Sequence, residues 1–156
     1  MSKPIIYVAS SWKNAAKLGA VHALIEELGC EGWDFRKNGF WWKDVDPHYL
    51  RSPHDFLKAP QSQSAFRFDK EGLDKAHALI AIMPAGISTA LEVGYAAGRE
   101  IPTLVWGEPR EERFDIMWSL AAELMPSSVP LGTAVAAVCK AAFIMSGQDV
   151  NDEISG

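Results

Sequence analysis

The chain has 156 residues, of which 48% are hydrophobic and 22% charged. That balance suits one soluble domain able to bury its own core. A net charge of −5 argues against a general surface for duplex nucleic acid. Cys30 and Cys139 show no CxxC spacing and no signal peptide is visible, so reduced thiols and a cytoplasmic location are expected.

Residues 4–9 (PIIYVA) form a short apolar, β-branched run that predicts a buried strand. Ser10 and Ser11 then supply a helix cap. Apolar positions at Ala16, Ala20, Leu24 and Leu28, with Val21 and Ile25 alongside, keep helical spacing, and Gly29 stops the helix. Residues 32–36 (GWDFR) predict a second strand, so the chain opens β-α-β with a right-handed parallel crossover. Residues 37–67 are rich in aromatics, His, Pro and Ser and show no sustained period. Within them Ser52 caps a short predicted helix over 53–59, with Pro53 at its first position. A second helix is predicted over 62–75. An insertion of this length is read either as a lid or recognition segment, or as an irregular excursion packed by its tryptophans. Regularity returns with a strand over 78–83, a turn at 84–86, a helix over 87–97 closed by Gly98, and a strand over 101–106. A helix over 111–124, a short fifth strand over 129–131, a helix over 133–145 and a polar tail from Gly147 complete the reading. Alternating strands and helices predict one α/β domain over residues 1–156: a doubly wound sheet of about five parallel strands, with the aromatic-rich insertion after strand two.

The stretch from Ala78 to Gly98, ALIAIMPAGISTALEVGYAAG, contains a single residue charged at neutral pH, Glu92. Pro84, Gly86, Ser88, Thr89 and Glu92 near its centre argue against a membrane-spanning helix. Glu92 lies either on the solvent face of an amphipathic helix or in a cleft, where burying a carboxylate requires a partner. Doubly wound sheets bind ligands beyond the carboxyl ends of their strands. That crevice would gather Ser10, Ser11, Trp12, Pro84, Gly86 and Ser88, with Glu92 one turn deeper. Tyr7, on the adjacent first strand, can hydrogen-bond the Glu92 carboxylate. A carboxylate held in a dry cleft can serve as nucleophile or electrostatic stabiliser at a sugar C1′. Gly86, Ser88 and Thr89 sit where a helix N-terminus offers free N–H groups to a phosphate.

Other templates are absent. There is no GxGxxG after a strand and no GxxxxGK[ST], so no nucleotide cofactor is indicated. His22, His48, His54 and His77 lack metal-ligand spacing, so no metal is expected. Asp69, Glu71 and Asp74 read as the solvated face of a helix.

IYVASSW, Asp74 with ALIAIMP, and STALEVGYAAG followed by Ile101-Pro102 resemble, in order, the nucleoside 2-deoxyribosyltransferase superfamily over most of residues 4–106. ASSWKN, WDFRKNGFWWKDVD and MPAGISTALEVGYAAG are similar to a bacterial and phage branch of small proteins. The resemblance implies a flavodoxin-like fold, a nucleoside or nucleotide as small-molecule partner, and a homodimer or higher homo-oligomer. It implies that Glu92, in the ExGxA pattern, is the nucleophile and that Tyr7 steadies it. Transferases of the superfamily carry an Asp six residues before the Glu, where this chain has Gly86. Small and hydroxyl residues there, such as Gly86 and Ser88, match the nucleoside 5′-monophosphate N-glycosidases. On that reading Trp12 or the Trp41–Trp42 pair stacks on the base, and Asn14, Arg36 and Asp46 are candidate base or phosphate contacts. The alternative from another class is a non-catalytic nucleotide-sensing module, motivated by Gly86.

Overall fold

The computed structural model describes residues 2–110 and 114–147. Strands β1 (Ile5–Ala9), β2 (Glu31–Asp34), β3 (Ala78–Ile82), β4 (Thr103–Trp106) and β5 (Glu123–Met125) are all parallel. Their order in the sheet is β2-β1-β3-β4-β5, the flavodoxin-like order. Every residue of β3 and β4 is buried, as strands covered on both faces require.

Alternation along β1 assigns its side chains to two layers. Ile6 and Val8 face α1 (Ala15–Glu27) and α6 (Leu131–Met145), packing with Leu18, Val21, Ile25, Val135 and Val138. Tyr7 and Ala9 face the opposite layer, where α4 (Pro60–Lys75) and α5 (Ile87–Gly98) contribute Leu73, Val93 and Ala96. Tyr7 is thus the polar side chain that β1 sends toward α5, and it is fully buried. The chain leaves β1 for β2 on one side and reaches β3 on the other, so the crevice between β1 and β3 is the topological switch point.

Several expected elements shift. The first helix is preceded by a 3-10 turn, Trp12–Asn14, capped by Ser11, whose Oγ accepts the Lys13 N–H at 3.2 Å. Strand two ends at Asp34, because the Asp34 carboxylate accepts the Arg36 N–H at 3.0 Å and winds Phe35–Asn38 into a second 3-10 turn. Gly39, at φ 74°, releases the chain from that turn.

The insertion is ordered. It holds α2 (Trp42–Val45), α3 (Pro53–Lys58) and the start of α4. Ser52 caps α3 through the Asp55 N–H at 3.1 Å, and α4 begins earlier than predicted, with Pro60 in its first turn.

The helix predicted over 111–124 is not formed in its described part. Asp115 instead accepts the Met117 N–H and caps a 3-10 turn, Ile116–Leu120. Residues 123–125 pair with β4 (Leu104 opposite Glu123, Trp106 opposite Met125) and form the fifth strand. The need of β4 for a partner outweighs local helix propensity. Residues 111–113 lie outside the described residues, as does the tail from residue 148. The strand predicted over 129–131 is a loop. The Val129 carbonyl accepts the Trp106 Nε1–H at 2.8 Å, and α6 starts at Leu131. Among the described residues no helix is long and apolar enough to cross a membrane.

Candidate active site

Glu92 stands in the second turn of α5, one turn after Ser88. The helix face bearing Thr89, Val93 and Ala96 packs on the sheet, and Glu92 lies beside that face. The solvent-face reading of Glu92 is therefore set aside, since burial pushes its carboxyl up from 4.5 to about 7. Tyr7 opposes that rise by hydrogen bonding, and the charge of Asp69 adds to it. Tyr7 itself is pushed far above an ordinary tyrosine, first by burial and then by the charges of Glu92 and Asp69. The hydroxyl and carboxyl are near enough to influence each other, yet neither Tyr7 Oη nor Glu92 Oε2 completes a hydrogen bond of good geometry within the protein.

Asp69 is the residue that the sequence reading misplaced. Glu71 and Asp74 are solvated as expected: Glu71 pairs with Lys75 at 2.6 Å and Asp74 with Lys70 at 2.7 Å. Asp74 also accepts the Tyr95 hydroxyl. Asp69, by contrast, is half-buried on the α4 face that carries Ala65, Gly72 and Leu73, and its charge acts on both Tyr7 and Glu92. Burial pushes its carboxyl up from 3.8 to about 6, against a hydrogen bond from Asn38. The signal was present in the helical phase, because positions 65, 69, 72 and 73 share one face of a helix. Close packing makes the stripe work. A Cβ on Gly72 would meet Trp33 Cδ1 at 2.3 Å, and the Trp33 and Phe68 rings lie 5.0 Å apart.

The end of β1 is tied to the end of β3 by side chains expected to bind substrate. Ser10 Oγ donates to the Ile82 carbonyl at 2.8 Å. Asn14 Nδ2 donates to Ser10 Oγ at 2.9 Å and to the Pro84 carbonyl at 2.8 Å. Ser10 and Asn14 therefore hold the turn that carries Pro84, which follows a cis peptide bond, and Gly86. Gly86 is extended at the N-cap of α5, which has no side-chain cap, and a Cβ there would meet nothing within 4 Å. Ser88 is exposed in the first turn beyond it. Trp12 is 50% exposed, and its ring meets Phe35 edge-on at 5.5 Å and 89°.

Three other candidates are engaged elsewhere. Arg36 forks onto the Asp34 carboxylate, with Nε 2.9 Å from Oδ1 and Nη2 2.8 Å from Oδ2. Asp46 is buried and accepts the N–H groups of Leu50 at 2.9 Å and Arg51 at 3.1 Å, closing a loop. Trp42 stacks on Phe56 at 4.2 Å and on Tyr49 at 6.3 Å, so it anchors the insertion. Its neighbour Trp41 is 59% exposed. Among the described residues no cluster of His, Cys, Asp and Glu has the arrangement of a metal site.

A mainly apolar cavity of about 400 Å³ lies against α5 and the β4–β5 connection, lined by Ile87, Ala90, Gly94, Met117, Trp118 and Leu120. Neither Glu92 nor Tyr7 lines it. Gly86, at the N-cap of α5, also lines this cavity.

No protein-family model matches the sequence, and no curated protein is significantly similar to it. Among solved structures, a conserved protein from Enterococcus faecalis V583 is similar with a TM-score of 0.58 and 12% identity, over 87% of this chain and 99% of that one. A 2-deoxyribosyltransferase from Bacillus psychrosaccharolyticus is similar with a TM-score of 0.49 and 15% identity, over 76% of this chain and 97% of that one. The likeness to the Enterococcus faecalis protein is one of fold.

Proposed function

We propose that this protein cleaves or transfers the N-glycosidic bond of a (deoxy)nucleoside 5′-monophosphate, with Glu92 as nucleophile. The observation that carries the proposal is the cluster of buried Tyr7 with half-buried Asp69 and Glu92, in which burial raises both carboxyls and the Tyr7 hydroxyl makes no hydrogen bond within the protein. Two carboxyl groups with separate roles are what glycosidic cleavage uses. The reactive form carries one proton on the pair. The higher pKa of Glu92 puts that proton mainly on Glu92; the reactive form is the minor tautomer in which Tyr7 donates to an ionised Glu92 and Asp69 holds the proton. The Glu92 carboxylate attacks C1′ as the C1′–N bond breaks, and the departing base takes the Asp69 proton. Water, or the N–H of a second base, then attacks C1′ while giving its proton to the Asp69 carboxylate, and the Glu92 carboxylate is released. The uncapped N-terminus of α5, at Gly86 and Ser88, supports a phosphate contact. The exposed Trp12 ring suits a base. The homo-oligomer implied by the sequence resemblance belongs to the same proposal and is tested by sedimentation.

The test is base release, read by chromatography, from nucleosides, their 5′-monophosphates and modified pyrimidine nucleotides. Release that disappears in Glu92→Ala supports the proposal. Tight binding in a calorimeter, with the ligand recovered intact and no base released, favours the second reading, a nucleotide-sensing module. The Gly86 loop and a Glu92 carboxyl that burial raises to about 7 are what favour it.

A further inference from the structure

We propose that Asn38, at the end of the 3-10 turn following β2, is a positioning residue that fixes the orientation of the Asp69 carboxyl. The assignment rests on the reading of Asp69 as part of the active site. It gives the insertion a role there that its tryptophans do not fill.

The geometry is specific. Asn38 Nδ2 donates to Asp69 Oδ2 at 3.1 Å and approaches Oδ1 at 3.4 Å. The other end of the amide is fixed by the backbone, since the Phe40 N–H donates to Asn38 Oδ1 at 2.9 Å. An N–H cannot donate to an NH2 group, so the Phe40 bond forces the Asn38 donor toward Asp69. The turn that delivers Asn38 is rigid, being capped by Asp34 and clamped by the Arg36 fork on the same carboxylate. On the other side, the Trp33–Phe68 contact and the close approach at Gly72 hold α4. Asp69 is thus gripped from the insertion by a neutral donor, while Tyr7 from β1 and Glu92 from α5 are the titratable groups acting with it. A donor bound to one oxygen persists when the carboxyl is protonated, because the carbonyl oxygen still accepts. The O–H is then left on the other oxygen. Asn38 therefore holds Asp69 in one orientation through both protonation states.

Two variants separate this role from a structural one. Asn38→Asp keeps an oxygen for the Phe40 N–H but removes the donor, whereas Asn38→Ala removes both. The readout is a carboxyl 13C NMR titration of Asp69, identified as the signal missing from Asp69→Asn. The midpoint, about 6 in the unaltered protein, is expected to rise by about one pH unit or more in both variants, and further in Asn38→Asp, where a like charge replaces the donor. Unchanged midpoints in variants with intact near-UV circular dichroism would overturn the assignment. If Asn38→Ala does not fold, Asn38→Asp decides. The titration needs no substrate, so it separates this inference from the glycosidase reading. Absence of base release from the unaltered protein defeats that reading and leaves the titration to decide on Asn38.

Discussion

Replacing Glu92 by Gln is expected to stabilise the fold in mildly alkaline solution and to leave it nearly unchanged in acid. Burial raises the Glu92 carboxyl from 4.5 to about 7 in the folded protein, so the folded state binds this proton more tightly than the unfolded chain does. Below pH 4.5 both states are protonated and the group costs nothing. As the pH climbs from there to about 7, the unfolded chain ionises first and stability falls. Above about 7 the loss is complete. At about 1.4 kcal/mol per pH unit, the gap amounts to about 3 kcal/mol. Gln has no proton to lose and can still accept from Tyr7. Asp69 contributes a fall of the same sign, but it is more exposed and is common to both proteins. Urea unfolding at pH 8 should therefore find Glu92→Gln more stable by up to about 3 kcal/mol, or roughly 6–12 °C in Tm for a domain of this size. The two proteins should converge toward pH 4. Equal stability at pH 8, or a difference independent of pH, would refute the burial argument and with it the cleft placement of Glu92.

Base release should follow a bell-shaped pH profile with limbs at the apparent values of the carboxyl pair, near about 6 and about 7, because one proton must remain on the pair. Asp69→Asn should lower base release about 10²–10⁴-fold, the usual contribution of a general acid, and a smaller loss in single-turnover assays would remove Asp69 from the chemistry. Gly72→Ala should cost about 1–3 kcal/mol by urea unfolding, since its Cβ would fall 2.3 Å from Trp33 Cδ1; a neutral outcome would mean that α4 is not held against β2. Asn14→Ala should cost about 1–2 kcal/mol, because Ser10 Oγ and the Pro84 carbonyl lose a donor. It should also raise KM more than it lowers kcat, as expected of a loop support.

Glu92 stood out in the sequence because a single charge within a long apolar stretch has few places to go. Tyr7 was legible through strand alternation, once β1 and β3 were taken as neighbours. The alternation of apolar runs with helical periods likewise determined the parallel α/β class, because burial on both faces leaves that pattern in the chain. A fifth strand was expected, but its position was not legible. Residues 123–125 are a strand because β4 offers an open edge, a long-range demand that local propensity does not carry. Arg36, Asp46 and Trp42 had the right chemistry for a ligand, and only the tertiary structure showed their groups already bound to Asp34, to the loop backbone and to Phe56 and Tyr49. Asp69 is the converse case. Its charge suggested a solvated face, whereas its helical phase and the close approach of Trp33 at Gly72 turned it inward. Composition and periodicity determine which layers form. Whether a polar side chain is spent on the fold or left for chemistry is decided by which partners packing brings within reach.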